Sequence, residues 1–393
     1  MVASPTETRA SLKATCPRKE LFEAVQTVGH AVSGRSALPI LSHILIRSEE
    51  NGLRLIATDL ELGISCYIPA QVLESGALTS PSRTLSEVLG NLPDKSEVAI
   101  SVDKSYTTRV HCEKSDYKIL GLPSEEYPSL PEVKETVSFS IPQAKMREMI
   151  RHTRFAVGTD ETRPILTGIL MVFDGETLKF VATDTHRLAV KSAKVTNGNG
   201  SQNAIVPARA MNELTRLLTG EEGQVEVRLS GNQVMFLLPG ENQVQIIARL
   251  IEGQFPNFQR VIPAEFSKRL TIPTASLQSA VKRAAIVARE NSQRVIFRVT
   301  SDKLVLTAES QVVGNAYEEI EIQSEGGDIE TAFNAKYLLD VLDVLEEDHL
   351  HLELTEPLKP GVVRPVPPPV KEGETMVSGI SDYLCVLMPM QIY

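Results

Sequence analysis

The feature that most constrains this chain is an internal repeat. Leu53-Arg54-Leu55-Ile56-Ala57-Thr58-Asp59 returns as Leu178-Lys179-Phe180-Val181-Ala182-Thr183-Asp184, and more weakly as Leu304-Val305-Leu306-Thr307-Ala308-Glu309-Ser310. Pro39-Ile40-Leu41 returns as Pro164-Ile165-Leu166, Pro81-Ser82-Arg83 as Pro207-Ala208-Arg209, and Tyr127-Pro128-Ser129-Leu130 as Phe255-Pro256-Asn257-Phe258. The segments keep one order and one interval of about 125 residues. Chance likeness between strands would not preserve that register, and self-similarity at a fixed period sets the architecture before any local reading. A chain of 393 residues then holds three copies of one domain, with expected extents 11–136, 137–262 and 263–393.

Each copy reads as two helices and a strand-rich remainder, an α+β layer design. A first amphipathic helix is expected at Glu20–Val32, Ala144–Val157 and Ala275–Ala288, and a second at Leu85–Leu92, Met211–Leu218 and Tyr337–Leu345. Strands follow from apolar alternation or short apolar runs, as at Ile40–Ile46, Ile165–Phe173, Gln224–Leu229, Gln233–Leu238 and Val244–Leu250. Thr196–Gln202 and Pro239–Asn242 read as turns, and Gly361–Gly379, rich in Pro and Gly, as a mobile surface loop.

Composition removes several functional classes. The four cysteines, Cys16, Cys66, Cys112 and Cys385, form no C-x-x-C pair and sit near no His at metal-ligand spacing, as expected of buried thiols in a reducing compartment. Residues 1–10 are mostly polar and lack the apolar run of a signal peptide. No stretch approaches the about 18 apolar residues of a membrane span, so the expected location is the cytoplasm. His349 and His351 could share one strand face, but no third ligand accompanies them, and no metal or cofactor is expected. The P-loop and G-x-S-x-G patterns are missing from the sequence.

The net charge of −10 argues against a generally basic nucleic-acid binder, yet its distribution is uneven. In the second copy Met146, Met149, Ile150 and Val157 follow helical spacing toward a core, while Arg147, Arg151 and Arg154 share the other side. In the third, Leu277, Val281, Ala284 and Ala288 form the apolar stripe, and Lys282 and Arg283 point away from it. Arg35 follows the first helix of the first copy, and Arg83, Arg209 and Lys336 lie at the start of the second helices. Acids concentrate elsewhere: residues 316–330 contain six and no base. One charged helix face is ordinarily just a solvated face. The same sign on three corresponding helices suggests a layer that meets phosphates without reading sequence. Tryptophan is absent and aromatics are 5%, which favours duplex backbone contact over stacking on single strands.

These features together resemble the bacterial DNA polymerase III beta subunit, the replicative sliding clamp. The residues that carry the resemblance are Ala182-Thr183-Asp184-Thr185-His186-Arg187-Leu188-Ala189-Val190, Gly253-Gln254-Phe255-Pro256-Asn257-Phe258-Gln259-Arg260-Val261-Ile262-Pro263 and Val386-Leu387-Met388-Pro389-Met390. Leu38-Pro39-Ile40-Leu41 and Phe333-Asn334-Ala335-Lys336-Tyr337-Leu338-Leu339 fit as well, so the match runs from about residue 11 to the end of the chain. It implies clamp-type domains with helices lining the inside and β-sheets outside, in a ring of six domains closed by a head-to-tail homodimer around double-stranded DNA. A heterologous contact closes only if its rotation fits, and repeated units make a fixed rotation natural. Arg163 joins the expected DNA-binding set.

The resemblance also implies an apolar cleft that receives short peptides of the replicative polymerase, the clamp loader and other partners. Its matching positions are Leu166, Thr183, His186, Arg187, Leu188, Pro256, Arg260, Val261, Leu358, Val386, Met388, Pro389 and Met390. Flexible methionines suit varied apolar anchors, and Arg187 and Arg260 would place charge at the rim. Tyr117 and Ile119 on one side, and Ile286 and Val287 on the other, match the family's dimer interface, although an internal core role fits these residue types equally. Thr185 stands where the family commonly has Gly, Gln391-Ile392-Tyr393 replaces the usual Arg-Leu ending, and Pro164-Ile165 lies where some members have two aromatics that touch DNA.

Two other classes compete with a processivity factor that has no active site of its own. One is a repeat-built protein scaffold that never meets DNA, in which reversing Arg147, Arg151 and Arg154 would do no harm. The other is a hydrolase using His186 and Asp184. A general base needs a partner and a pocket, and Asp184 corresponds to Asp59, where Leu60 and Glu61 follow instead of a His, so Asp184 is expected to be a turn residue.

Overall fold

The computed structural model describes residues 11–32, 38–218, 222–289, 292–367 and 382–392. The described helices are α1 Arg18–Gly29, α2 Ser82–Gly90, α3 Gln143–Arg154, α4 Ala208–Leu217, α5 Thr274–Ala288 and α6 Ala335–Leu342. Each begins one residue after a strand ends. Pro17, Pro81 and Pro273 occupy the position before α1, α2 and α5 with φ of −59°, −54° and −62°. Pro142 and Pro207 end the strands that lead into α3 and α4. Proline lacks the N–H that would extend the ladder, and its fixed φ suits a helix entry. Asn334 does the same work before α6 by another route: its side-chain oxygen accepts from the N–H groups of Lys336 at 2.9 Å and Tyr337 at 3.3 Å.

The described residues group into two compact units. The first, residues 1–144, 196–200 and 209–250, holds a five-stranded sheet and a nine-stranded sheet. The five-stranded sheet runs in the order Gln71–Glu74, Lys13–Pro17, Glu97–Val102, Thr107–Cys112, Ser115–Leu120, with the last strand at its edge. Within the nine-stranded sheet, Leu62–Pro69 of the first repeat pairs antiparallel with Val244–Arg249 of the second, Ile64 opposite Ile246. α1 buries Leu21, Ala24, Val25 and Val28, and packs against α2, which buries Leu85 and Leu89. Arg18, 6% exposed, ties the pair: its Nε donates to the Leu89 carbonyl at 2.6 Å, its Nη1 pairs with Asp94 at 2.8 Å, and its guanidinium lies 4.8 Å from the Phe22 ring centre. Arg18→Met should therefore lower the unfolding free energy by about 2 kcal/mol in a denaturant titration, the cost of losing a charged hydrogen bond in a buried setting.

The second unit, residues 145–195, 201–208 and 251–393, holds its own nine-stranded sheet and a four-stranded one. The equivalent seam recurs here. Arg187–Lys194 pairs antiparallel with Tyr383–Leu387, Leu188 opposite Val386. The middle repeat is thus divided, with its strands at 168–194 and 202–207 in the second unit and those at 137–142 and 224–249 in the first. α5 buries Leu277, Val281, Ala284 and Ala288, the stripe expected from spacing, and α3 buries Met146, Met149 and Ile150. The four-stranded sheet places Gly314–Glu321 at its edge.

Several local expectations need correction. Pro39–Ser42 and Pro164–Leu166 are single 3₁₀ turns, and the strands begin only at His43 and Gly168, because proline at the first position pre-sets a helical φ. α3 ends at Arg154, so Val157 lies past the helix and is half-buried. Thr196–Asn199 is a short strand paired with Val137–Pro142. Gly361–Pro365 is a largely buried strand between His349–Leu354 and Tyr383–Leu387, where its valines alternate into both faces. Residues 368–379 of the expected loop lie outside the described residues, as does Arg35. No helix among the described residues is long and apolar enough to cross a membrane.

Candidate functional site

The run Thr183–Leu188 makes one tight turn from short polar side chains. Thr183 Oγ1 donates to the Arg187 carbonyl at 2.7 Å and accepts from the Thr185 N–H at 3.1 Å. Asp184 Oδ1 accepts from the N–H groups of His186 and Arg187, both at 3.0 Å. The turn requires φ of +77° at Thr185, a conformation glycine reaches freely and a β-branched residue rarely adopts. The family's usual Gly at this position has that physical reason. The first repeat builds the same turn with the same bonds: Thr58 Oγ1 to the Leu62 carbonyl, the Leu60 N–H to Thr58 Oγ1, and the Glu61 and Leu62 N–H groups to Asp59 Oδ1, with Leu60 at φ +78°. The third repeat does not. There Ser310 Oγ accepts from Val312 and Val313, and those valines are 85% and 53% exposed.

Beside the second-repeat turn lies an apolar cleft of about 180 Å³, lined by Leu166, Thr183, Thr185, Arg187, Leu188, Pro256, Phe258, Val261, Val386 and Met388. Its floor is a core cluster in which Leu188 and Val386, opposed across the seam, pack with Val181, Val190 and Val362. The structure therefore gathers most of the residues expected from the sequence and adds two. These are Phe258, which stands inside the Phe-Pro-Asn-Phe run, and Thr185, the departure from the family's usual Gly. His186, Arg260, Leu358, Pro389 and Met390 are not among the lining residues. His186 is exposed and stacks on Tyr337 at 6.0 Å between ring centres, while its carbonyl accepts from Met388 at 2.9 Å. Met390 donates to the Ala332 carbonyl at 2.7 Å, Arg260 is exposed, and Leu358 is 63% exposed.

Arg187 is not a charge at the rim. It is 6% exposed, and its guanidinium joins three elements. It pairs with Asp184 at 3.0 Å and with Asp340 of α6, donates to the Phe155 carbonyl just past α3, and lies 4.5 Å from the Tyr337 ring centre. Asp184 is thereby committed to two backbone amides and a guanidinium, and no contact orients the His186 imidazole toward it. An acid–base pair at this turn, as the hydrolase alternative requires, is not built. His351 Nδ1 lies 3.1 Å from Thr271 Oγ1, and burial is the main cause holding this imidazole below its usual pKa. Among the described residues no group of three or more His, Cys, Asp or Glu is placed to hold a metal.

The basic faces differ from a bare positive layer. Arg83 pairs with Glu87, Arg151 with Glu346, Arg163 with Asp160, Arg209 with Asp59, Lys282 with Asp343, Arg283 with Glu318 through two bonds, and Lys336 with Asp340. The expected acidic strand layer meets the helices directly, since Glu318 belongs to the edge strand under α5. Burial also changes the expected interface set. Ile119 is only 6% exposed, on the inner side of its edge strand, whereas Tyr117 and Leu120 are 40% and 77% exposed. Ile286 is 60% exposed and Val287 half-buried.

Repeated α+β units with strands paired across the repeats, and an apolar cleft beside a hydrogen-bonded turn, have the architecture of the clamp class. Models of the DNA polymerase III beta subunit match in order: the N-terminal domain over residues 12–131, the central domain over 140–257 and the C-terminal domain over 259–372. The chain is 32% identical over 345 residues to the beta sliding clamp of Staphylococcus epidermidis and 31% to that of Staphylococcus aureus, covering 85% of this chain and 90% of each relative. Among solved structures, the DNA polymerase sliding clamp of Bacillus subtilis superposes with a TM-score of 0.90 at 29% identity, over 98% of this chain and all of that one. A Pseudomonas aeruginosa sliding clamp bound to griselimycin gives 0.89 at 29% identity, over 97% of this chain and all of that one. The chain belongs to the DNA polymerase III beta subunit family, the DNA sliding clamps.

Proposed function

We propose that this sliding clamp is a processivity factor in the cytoplasm, a homodimeric ring that encircles duplex DNA and holds polymerase, clamp loader and other partners by short peptides seated in the second-unit cleft. The observation that carries the reading is the cleft itself. Its apolar floor and its single flexible Met388 lie against a turn in which the Thr183 and Asp184 side chains are bonded to the backbone. Such an apolar floor suits the docking of a chain segment. The three repeats, with boundaries near residues 136 and 262, supply three of six ring segments. Two edge strands suit a head-to-tail closure: Ser115–Leu120, with Lys118 and exposed Tyr117 and Leu120, and the acidic Gly314–Glu321. Unpaired strand edges are templates for pairing, and the exposed Tyr117 and Leu120 would add apolar contact.

The ion pairs of the helix faces agree with binding by topology. Exposed pairs are weak, about 0–1 kcal/mol each, so passing phosphates can exchange with these carboxylates without gripping. The test is to load the full chain onto a nicked circular duplex with a clamp loader and then linearise the circle. Retention on the closed circle that changes little between low and physiological salt, with rapid loss on cutting, is the expected result. Equal retention on both forms would make this an ordinary surface binder. If nothing is retained while a control clamp loads, a protein scaffold without DNA takes its place.

A further inference from the structure

The turn of the first repeat also borders a cavity, and the family reading leaves it without a role. It lies wholly within the first unit, where the seam between Leu62–Pro69 and Val244–Arg249 reproduces the seam below the peptide cleft. Its volume is about 390 Å³, against about 180 Å³ for the cleft. Register fixes the correspondence: Gly63 opposes Ile247 as Leu188 opposes Val386, so Arg249 stands where Met388 does in the second unit. Leu130 corresponds to Phe258 through the repeat. It also fills the space a side chain at Gly63 would need, its Cδ2 lying 2.3 Å from where that Cβ would be.

Two features mark the cavity as more than an echo of the repeat. At the strained position that both turns share, where the second unit has Thr185, the first unit presents Leu60, an aliphatic side chain 56% exposed at φ +78°. Strained positions that the surroundings hold in place are found disproportionately at binding sites. Second, the wall that is apolar in the cleft carries charge here. Arg249 extends with its side chain 51% exposed, 3.7 Å from a Glu61 that is itself 67% exposed, and the amides of Asn232 and Gln233 lie alongside. Aliphatic walls from Leu60, Leu130 and Ile247, side-chain amides able to meet a peptide backbone, and one guanidinium fit a definite chemistry.

We propose that this cavity is a second peptide-docking site, which takes an extended segment of a partner protein carrying an aliphatic side chain next to a carboxylate. The aliphatic group packs on Leu60 and Ile247, and the carboxylate exchanges with Glu61 for Arg249. Through the repeat, the proposal rests on the reading of the second-unit cleft as a peptide site, and the test separates the two. The probe is a dye-labelled acetyl-Gly-Leu-Asp-Leu-Gly amide, read by fluorescence anisotropy on the full chain with the second-unit cleft closed by Met388→Glu. Binding should persist, weaken about tenfold on adding Arg249→Glu, and recover when the probe's Asp is exchanged for Lys. Leu60→Gly should weaken it about threefold with no fall in the thermal midpoint, since it removes a side chain and a strained φ together. No probe binding to folded Met388→Glu protein, or binding indifferent to Arg249→Glu, would overturn the proposal. So would a change of oligomeric state on Arg249→Glu without a change in probe affinity, which assigns the cavity to a second copy of this chain. The second-unit cleft is judged apart: in Arg249→Glu protein with Met388 intact, binding should fall on Met388→Glu to the weakened level of the double variant, and the absence of any fall would sink that reading alone.

Discussion

Arg187→Met is expected to destabilise the second unit by about 3–5 kcal/mol and to weaken peptide binding at the cleft at least tenfold. Removing one partner of a buried ion pair costs far more than the pair is worth, because the remaining charges stay desolvated. Here the side chains of Asp184 and Asp340 are 17% and 28% exposed; Asp184 would lose its cation, and Asp340 would keep only Lys336, at 3.3 Å. The Phe155 carbonyl would lose a donor, and the rings of Phe155 and Tyr337 a guanidinium at 5.2 and 4.5 Å. Arg187→Lys should recover only part of the loss, since the compact ammonium lacks the broad planar fork of a guanidinium and its stacking on the two rings. Denaturant titration of both variants, with Asp340→Asn alone and combined, measures the coupling. An Arg187→Met protein within 1 kcal/mol of the parent would mean the hub is ornamental. The cleft inherits the effect because Arg187 and Leu188 are consecutive in the strand that forms its floor.

Lys191 should prove the second sensitive position, with Lys191→Met costing about 3 kcal/mol at neutral pH. The lysine is 5% exposed and pairs with Glu148 at 2.6 Å and Asp382 at 2.9 Å. Burial alone would raise the Glu148 pKa, but hydrogen bonds from Lys145 and Lys191 outweigh it and hold the carboxyl below its usual 4.5. Burial would likewise lower Lys191, but hydrogen bonds to Glu148 and Asp382 outweigh it and raise the amine above 10.5. A depressed carboxylate contributes stability that is complete above its unfolded value and lost as the pH falls through its folded one. A raised amine contributes stability that is complete below its unfolded value and lost as the pH climbs through its folded one. The network should therefore hold full strength between about pH 4.5 and 10.5 and weaken on both sides. Thermal melts across pH should show the acid slope shrinking in Lys191→Met. An unchanged slope would place the acid sensitivity elsewhere.

Much of the fold could be read from the sequence because the determinants are local. The helix faces of α3 and α5 follow a 3.6-residue spacing that needs no knowledge of the partner surface, and the buried residues match it. The turn role of Asp184 was legible for the same reason, since an Asx turn is closed within three residues. A local signal also went unread: a strand ending in Pro just before a helix occurs at Pro17, Pro81, Pro142, Pro207 and Pro273. What could not be read depends on distant chain. Arg283 looks free beside its helix, and only folding brings Glu318 across to it. Arg187 follows an exposed His in sequence, and its burial is decided by α6, some 150 residues on. Ile119 is 6% exposed while Tyr117, two residues back on the same face of the strand, is 40% exposed, and nothing local in the sequence separates the two.

The division of the middle repeat has a consequence for how the chain can be cut. Residues 132–136, between the first two repeats, form an irregular segment, mostly exposed, where a protease or an engineered break would act. Yet the break would not release the first repeat, because Leu62–Pro69 and Val244–Arg249 lie on opposite sides of it and are hydrogen-bonded into one sheet. Two fragments made separately, ending and starting in this segment, should find each other and complete the first unit, as split reporters do. The covalent order of the repeats is then one way of delivering their strands to shared sheets, and the noncovalent seam could reassemble what the backbone no longer joins.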